Sequence, residues 1–312
     1  MSQVVIHKPL GNNARAPRRF CQQLFKTMLV LSFCLAGSIA WANSSPEPLA
    51  DPGDRLILVG TQLSEIVFAL DAGHRVAATH GYRGHIPGID ETPAIQGFGP
   101  AVRSAETLLS FRPTAIWFMD GRIDEPTLAR LRTLDIPLEH FPNSWTLDEV
   151  SGHIASIALA LNRSEKGQQL IGRFEAEKQA LEALPILNDP PTAIFILAGG
   201  NRPMLTAGRD SNFQRLMDLA GGQNASTHRG FQLLSAEEMV RIAPDIIFLL
   251  DEALPPDRPP IVADLPGLRL TPAARAGRFR EIAGHCLSDF GINTPACATR
   301  LRTALEQPDS NT

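Results

Sequence analysis

The densest set of side chains able to do chemistry lies between His80 and Arg103. There His80, Tyr82, Arg83, His85, Phe98 and Arg103 are interleaved with Gly81, Gly84, Gly88, Gly97 and Gly99 and with three prolines. Tyr82 is the only tyrosine in the chain, and His80 and His85 flank it. A phenolate or an imidazole in this position can ligate iron, whereas the spacing matches no zinc signature. The stretch has a second reading as a solvated connector whose histidines bind nothing. In an α/β fold, however, long glycine-rich loops at strand ends are where ligands bind.

A second kind of chemistry is repeated. Ser104-Ala105-Glu106 opens a segment running to Phe118, and Ser235-Ala236-Glu237 opens its counterpart running to Leu249, offset by 131 residues with no gap. In each copy the triplet starts a short helix, a proline ends it, and a run rich in isoleucine and aromatic residues reads as a buried strand. Glu106 and Glu237 are therefore two carboxylates, one per copy, at helix starts. They suit either a basic partner or simply the helix dipole, with Ser104 and Ser235 as N-caps.

The elements that must position these residues alternate along the chain. Arg55 to Val59 reads as a buried strand, Leu63 to Leu70 as a helix and Arg75 to Thr79 as a strand, so the beginning is β-α-β. After the loop and the first Ser-Ala-Glu unit come Met119-Asp120-Gly121-Arg122 at a strand end, a helix from Glu125 to Leu134, and a strand over Leu138 to Phe141 that stops at Asn143-Ser144-Trp145. Two helices follow, Thr146 to Leu161 and Glu165 to about Leu184. The alternation then restarts with Ala193 to Leu197, which ends in a glycine-rich loop carrying Arg202 and Met204. Thr206-Ala207-Gly208 leads past Arg209 into a helix from Ser211 to Ala220. His228, Arg229 and Phe231 precede the second unit. A helix over Thr271 to Ala276, a strand over Phe279 to Ala283 and a helix from Thr294 to Leu305 complete the pattern.

The chain has 312 residues, 44% hydrophobic and 20% charged, which is ordinary for a globular protein with a proper core. Residues 1–42 read as a cleavable export signal. Lys8, Arg15, Arg18, Arg19 and Lys26 form a basic region, Met28 to Ile39 is almost wholly apolar, and Ala40-Trp41-Ala42 supplies the small residues of a cleavage site. Removing those five basic residues from 29 leaves 24 against 33 acidic ones, a net charge of −9 that argues against nucleic acid. Cys286 and Cys297 then remain in an oxidising compartment, where they form either a disulfide or two buried thiols. No G-x-S-x-G elbow and no G-x-G-x-x-G fingerprint occurs, so neither a serine hydrolase nor a dinucleotide enzyme is indicated.

Residues 54 to 306 resemble the substrate-binding proteins of iron-siderophore, haem and cobalamin importers, nearest to the periplasmic hemin-binding subgroup. The segments that carry the resemblance are Arg55 to Val76, both Ser-Ala-Glu units, Pro203-Met204-Leu205-Thr206-Ala207-Gly208, and Leu265-Pro266-Gly267-Leu268 through Thr271-Pro272-Ala273. The resemblance implies a periplasmic, non-enzymatic monomer of the helical-backbone fold, with no catalytic cofactor. Residues 43–53 would be a mobile lead, 54–162 an α/β lobe, 163–184 a single long connecting helix, and 185–312 a second α/β lobe. It further implies a ligand cleft between the lobes and, as partners, an inner-membrane permease and its ATPase, on whose arginines Glu106 and Glu237 would dock.

The transported ligand implied is haem or another iron chelate. The resemblance weakens at the iron ligands, because Phe98 and Ala198 stand where the hemin subgroup commonly has tyrosine and sometimes histidine. For haem, the remaining donors are His80, Tyr82, His85, Met119, Met204 and His228, with Arg83, Arg103, Arg202 and Arg209 for its propionates. A ferric siderophore would use the same arginines with aromatic walls from Phe98, Trp145 and Phe231. A corrinoid would need a mostly apolar, aromatic cleft. A zinc or manganese receptor assembled from His80, His140, His228 and Asp251 is the alternative from another class.

Overall fold

The computed structural model describes residues 49–81, 83–95, 102, 104–197, 204–250 and 267–307. Two α/β lobes are built from them. Strand β1, Leu56–Val59, is buried along its whole length. It passes through Gly60 into helix α1, Thr61–Ala69. At Gly60 φ is +145°, and a Cβ there would lie 2.8 Å from Met119 Cγ, so this strand-to-helix turn requires glycine. Strand β2, Val76–His80, helix α2, Ala105–Leu109, strand β3, Ala115–Met119, helix α3, Glu125–Leu131, and strand β4, Leu138–Phe141, complete the first lobe's alternation.

Its sheet has the order β2-β1-β3-β4 and every pairing is parallel. Parallel strands are covered on both faces, which is why they read as continuous apolar runs. Leu56, Leu58 and Trp117 point to one face with Leu63, Ile66 and the helices that follow β4. Ile57, Val59, Ile116 and Phe118 point to the other, against Ala105 and Leu108 of α2 and Leu128 and Leu131 of α3.

Helix α4, Leu147–Ala160, starts in a capping box formed by Thr146 and Glu149. Helix α5, Ser164–Glu182, follows after a three-residue turn. At 1.5 Å per residue it is roughly 28 Å long. Its Leu170 and Phe174 belong to the first lobe's core, while Leu181 belongs to the second lobe's core. One helix thus anchors in both.

The second lobe contains strand β5, Thr192–Leu197, strand β6, Leu205–Ala207, helix α6, Asn212–Ala220, and strands β7, Gln223–Asn224, and β8, Phe231–Leu233. Helix α7, Ala236–Ile242, strand β9, Ile246–Leu250, helix α8, Pro272–Arg275, strand β10, Phe279–Ile282, and helices α9, His285–Ser288, and α10, Thr294–Glu306, follow. The sheet order is β10-β9-β5-β6-β8, with β7 also paired to β5. Strands β10, β9 and β5 are parallel, but β6 is antiparallel to both β5 and β8. This departs from the sequence reading, in which Thr206 to Gly208 lead directly into a helix. A three-residue strand carries too few alternations to register as one.

The repeated unit occupies the same place in each sheet. Strand β3 pairs with β1, and β9 pairs with β5. Ser104 Oγ accepts from Thr107 N at 3.2 Å and Ser235 Oγ from Glu238 N at 3.1 Å, so both serines are N-caps.

Two segments cross the lobe divisions expected from the sequence. Residues 49–53 lie against the first lobe, where Thr114 Oγ1 donates to Pro52 O at 2.6 Å and Arg75 pairs with Asp51. Phe290, far into the second half of the chain, is buried in the first lobe's core. A disulfide between Cys286 and Cys297, with Cα atoms 5.6 Å apart, ties α9 to α10 on either side of Phe290.

Candidate functional site

The carboxyl ends of the first lobe's strands, the start of α6 and the segment after α9 enclose a cavity of about 310 Å³. Met119, Arg122, Ser144 and Trp145 line it from the first lobe, and Asn212, Phe231 and Asp289 from the second. Ligand crevices in open α/β sheets form at such strand ends.

Its floor is polar and held across the lobes. Asp289 Oδ2 accepts from the backbone amides of Thr61 at 2.6 Å and Gln62 at 3.2 Å, so its carboxylate caps the amino end of α1. Arg122 forms an ion pair with Asp289 and donates to Ser288 O at 3.2 Å. Gln62, fully buried, donates to Ser144 Oγ at 3.0 Å and to Phe290 O, while its Oε1 receives His153 Nδ1 at 2.8 Å. Beside this network His80 is buried, and its Nδ1 has no hydrogen-bond partner among the described residues. Burial, and then the positive charge of Arg122, hold its imidazole below the usual histidine range, with Asp289 opposing.

The expected site residues do not all converge here. Met119 is buried and lines the cavity, Trp145 and Phe231 are exposed at its rim, and Arg209 is exposed beside Trp145 over an adjoining depression. Arg83 faces inward instead, donating to Ile89 O at 2.6 Å and Thr92 O at 2.5 Å, so it braces its own loop. His85 Nε2 is 2.6 Å from Glu65 Oε1, and its ring stacks on His285 at 4.4 Å. That places it in a separate cavity of about 500 Å³ between α1 and α5. Met204 is half-buried against the second lobe's core. Tyr82, Phe98, Arg103, Ala198, Arg202 and Asp251 lie outside the described residues.

The metal-receptor set is not assembled either. Among the described residues the one three-donor group is His285 with Cys286 and Cys297, whose sulfurs are bonded to each other. His140 is engaged by Asp120 at 2.5 Å, and both ring nitrogens of His228 are buried without partners among the described residues.

Sequence reasoning missed Arg122, Asp289, Glu65 and Arg215. Asp289 and Arg122 are separated by 167 residues and Arg122 belongs to no recognisable motif, so only the fold brings them together.

Residues 56–284 match the periplasmic binding protein family. The chain is a periplasmic binding protein. Among solved structures it resembles the periplasmic heme-binding protein RhuT of Roseiflexus sp. RS-1, with 26% identity and a TM-score of 0.69, covering 81% of this chain and 98% of that one. The periplasmic heme-binding protein HutB of Vibrio cholerae shares the fold at 24% identity and a TM-score of 0.67, covering 81% of this chain and 99% of the other. A vitamin B12-binding protein of Vibrio cholerae is 23% identical over 205 residues, 65% of this chain and 72% of that protein.

As a periplasmic binding protein the molecule is a transport component that binds a small molecule and works with a permease and its ATPase, not an enzyme. Its two Ser-Ala-Glu carboxylates are both exposed. Glu106 pairs with Arg130 at 2.7 Å, and its own backbone N–H, the Ser104 hydroxyl and Arg130 hold it below the usual carboxylate range. Glu237 lies in the first turn of α7.

Proposed function

We propose that this periplasmic binding protein captures an iron-containing tetrapyrrole, hemin, in the cleft between its lobes and delivers it to an inner-membrane ABC permease. The observation that carries this reading is the likeness to the heme-binding protein RhuT, which extends over both lobes. The cleft chemistry agrees with it. Trp145 and Phe231 offer apolar faces for a planar macrocycle, and Met119 offers a soft donor beside them. Tyr82 follows His80 by two residues and remains a candidate iron ligand.

In this reading residues 1–42 are the cleaved export signal, residues 54–162 and 185–312 are the lobes, and α5 is the connecting helix. Glu106 and Glu237 present one carboxylate per lobe to arginines of the permease. A corrinoid is the second reading, favoured by the vitamin B12-binding relative.

The test is a visible absorption titration of the mature protein with hemin beside cyanocobalamin. A saturable one-to-one Soret shift, with no corrinoid uptake, is the expected outcome. Corrinoid binding without a Soret response would replace the haem reading by the second one.

A further inference from the structure

Trp145 follows β4 in the first lobe and Arg215 lies on α6 in the second, so any contact between them spans the cleft. The guanidinium carbon of Arg215 sits 3.2 Å from the centroid of the Trp145 ring. Trp145 lines three adjoining cavities of about 310, 350 and 600 Å³, and Arg215 lines the latter two. Trp145 thus connects the 310 Å³ cavity to the two depressions that Arg215 lines.

The three acids whose charges bear on Arg215 each have another partner. Asp210 pairs with Arg229 at 2.7 Å, and Asp218 accepts the Gln214 amide at 2.7 Å. Glu149 accepts the backbone amides of Trp145 and Thr146 at 2.6 and 2.8 Å as part of the α4 capping box. Arg215 has no ion pair among the described residues, and its Nε is buried without a hydrogen-bond partner. Burial lowers its pKa from the usual arginine value, against the fields of Asp210, Asp218 and Glu149. This is a half-buried cation with its donors uncommitted. A guanidinium over an indole face gains cation–π attraction, and its N–H donors form the fork that matches a carboxylate.

We propose that Arg215, held over the Trp145 ring, receives a carboxylate of the ligand, and that the pair selects planar ligands bearing carboxylates over those bearing carboxamides. The inference rests on the tetrapyrrole reading and sharpens it. Haem carries two propionates, whereas the rim of a corrinoid carries amides, which cannot satisfy an arginine fork in the same way.

The experiment compares Arg215→Gln with the wild type in titrations with hemin and with hemin dimethyl ester, whose carboxylates are blocked. Loss of a desolvated charge pair is expected to weaken hemin about 10-fold or more and to leave the ester within about 3-fold. Arg215→Lys keeps the charge but not the fork, and is expected to fall between. An equal loss for both ligands would make Arg215 a packing residue for Trp145 and overturn the assignment, as would unchanged hemin affinity. If Arg215→Gln melts lower than the wild type, Arg215→Lys carries the same comparison, with the same two overturning results. A wild type that gives no Soret response to hemin would overturn the tetrapyrrole reading and this inference with it.

Discussion

Glu65 shows at the scale of one residue how the fold sets the state of a group that no motif announces. Its side chain is 5% exposed on α1, with Oε1 accepting from His85 Nε2 at 2.6 Å and from Asn293 Nδ2 at 3.1 Å. Its Oε2 has no partner among the described residues. Burial raises its pKa above 4.5, the hydrogen bond and charge of His85 and the amide of Asn293 pull it down, and Asp289 adds to the rise. A carboxyl group whose folded value lies above its unfolded one contributes stability that is fully present below pH 4.5 and is lost as pH rises through the folded value. Glu65→Gln keeps the shape and removes the titration. Thermal melts are expected to show the variant gaining on the wild type between pH 4.5 and pH 8, with the sign of the difference moving in its favour. A difference that is flat with pH would mean that the His85 contact compensates the burial completely.

At the scale of elements, the segment from α9 to α10 does the joining. The Cys286–Cys297 bond closes this loop, Asp289 caps α1, and Phe290 fills the first lobe's core although the chain around it belongs to the second. Phe290→Ala leaves a cavity and weakens the seating of Asp289, so it is expected to cost about 3–5 kcal/mol in denaturant unfolding. A cost below about 1 kcal/mol would show that the segment rests on the lobe without holding it. The disulfide is one of the two states expected for the cysteines, but the reach of Asp289 and Phe290 into the first lobe was not legible, because their hydrogen-bond partners there lie up to 228 residues back in the chain. What was legible followed from periodicity and caps. Strands β1, β3, β5 and β9 are apolar runs, α4 is the helix expected from Thr146 onward, and the two Ser-Ala-Glu units mark equivalent helix starts. The short antiparallel strands β6 and β8 and the four-residue α9 escaped because three or four residues carry too little periodicity to register. Of the residues expected at strand ends, Met119, Trp145 and Phe231 line one cavity. Arg83 and His85 lie in the expected loop but turn to contacts of their own, since a loop's composition says where it is and not which way its side chains face.

For the whole molecule, α5 is packed into both lobes. Leu170 and Phe174 seat it in one core and Leu181 in the other, so bending it would disturb contacts in both. In the proposed docking, Glu106 on the first lobe and Glu237 on the second would present one carboxylate each to arginines of the permease. Neither is buried, and the Glu106–Arg130 pair is an exposed one of the kind that contributes little to stability. Replacing both by alanine is therefore expected to leave hemin affinity within about 2-fold and unfolding free energy within about 1 kcal/mol, while abolishing growth on haem as the iron source. Growth at the wild-type rate would remove the two acids from the permease contact. Loss of hemin binding instead would place them in the ligand site, against their positions at the exposed starts of α2 and α7, away from the cavity that Trp145 and Asp289 enclose.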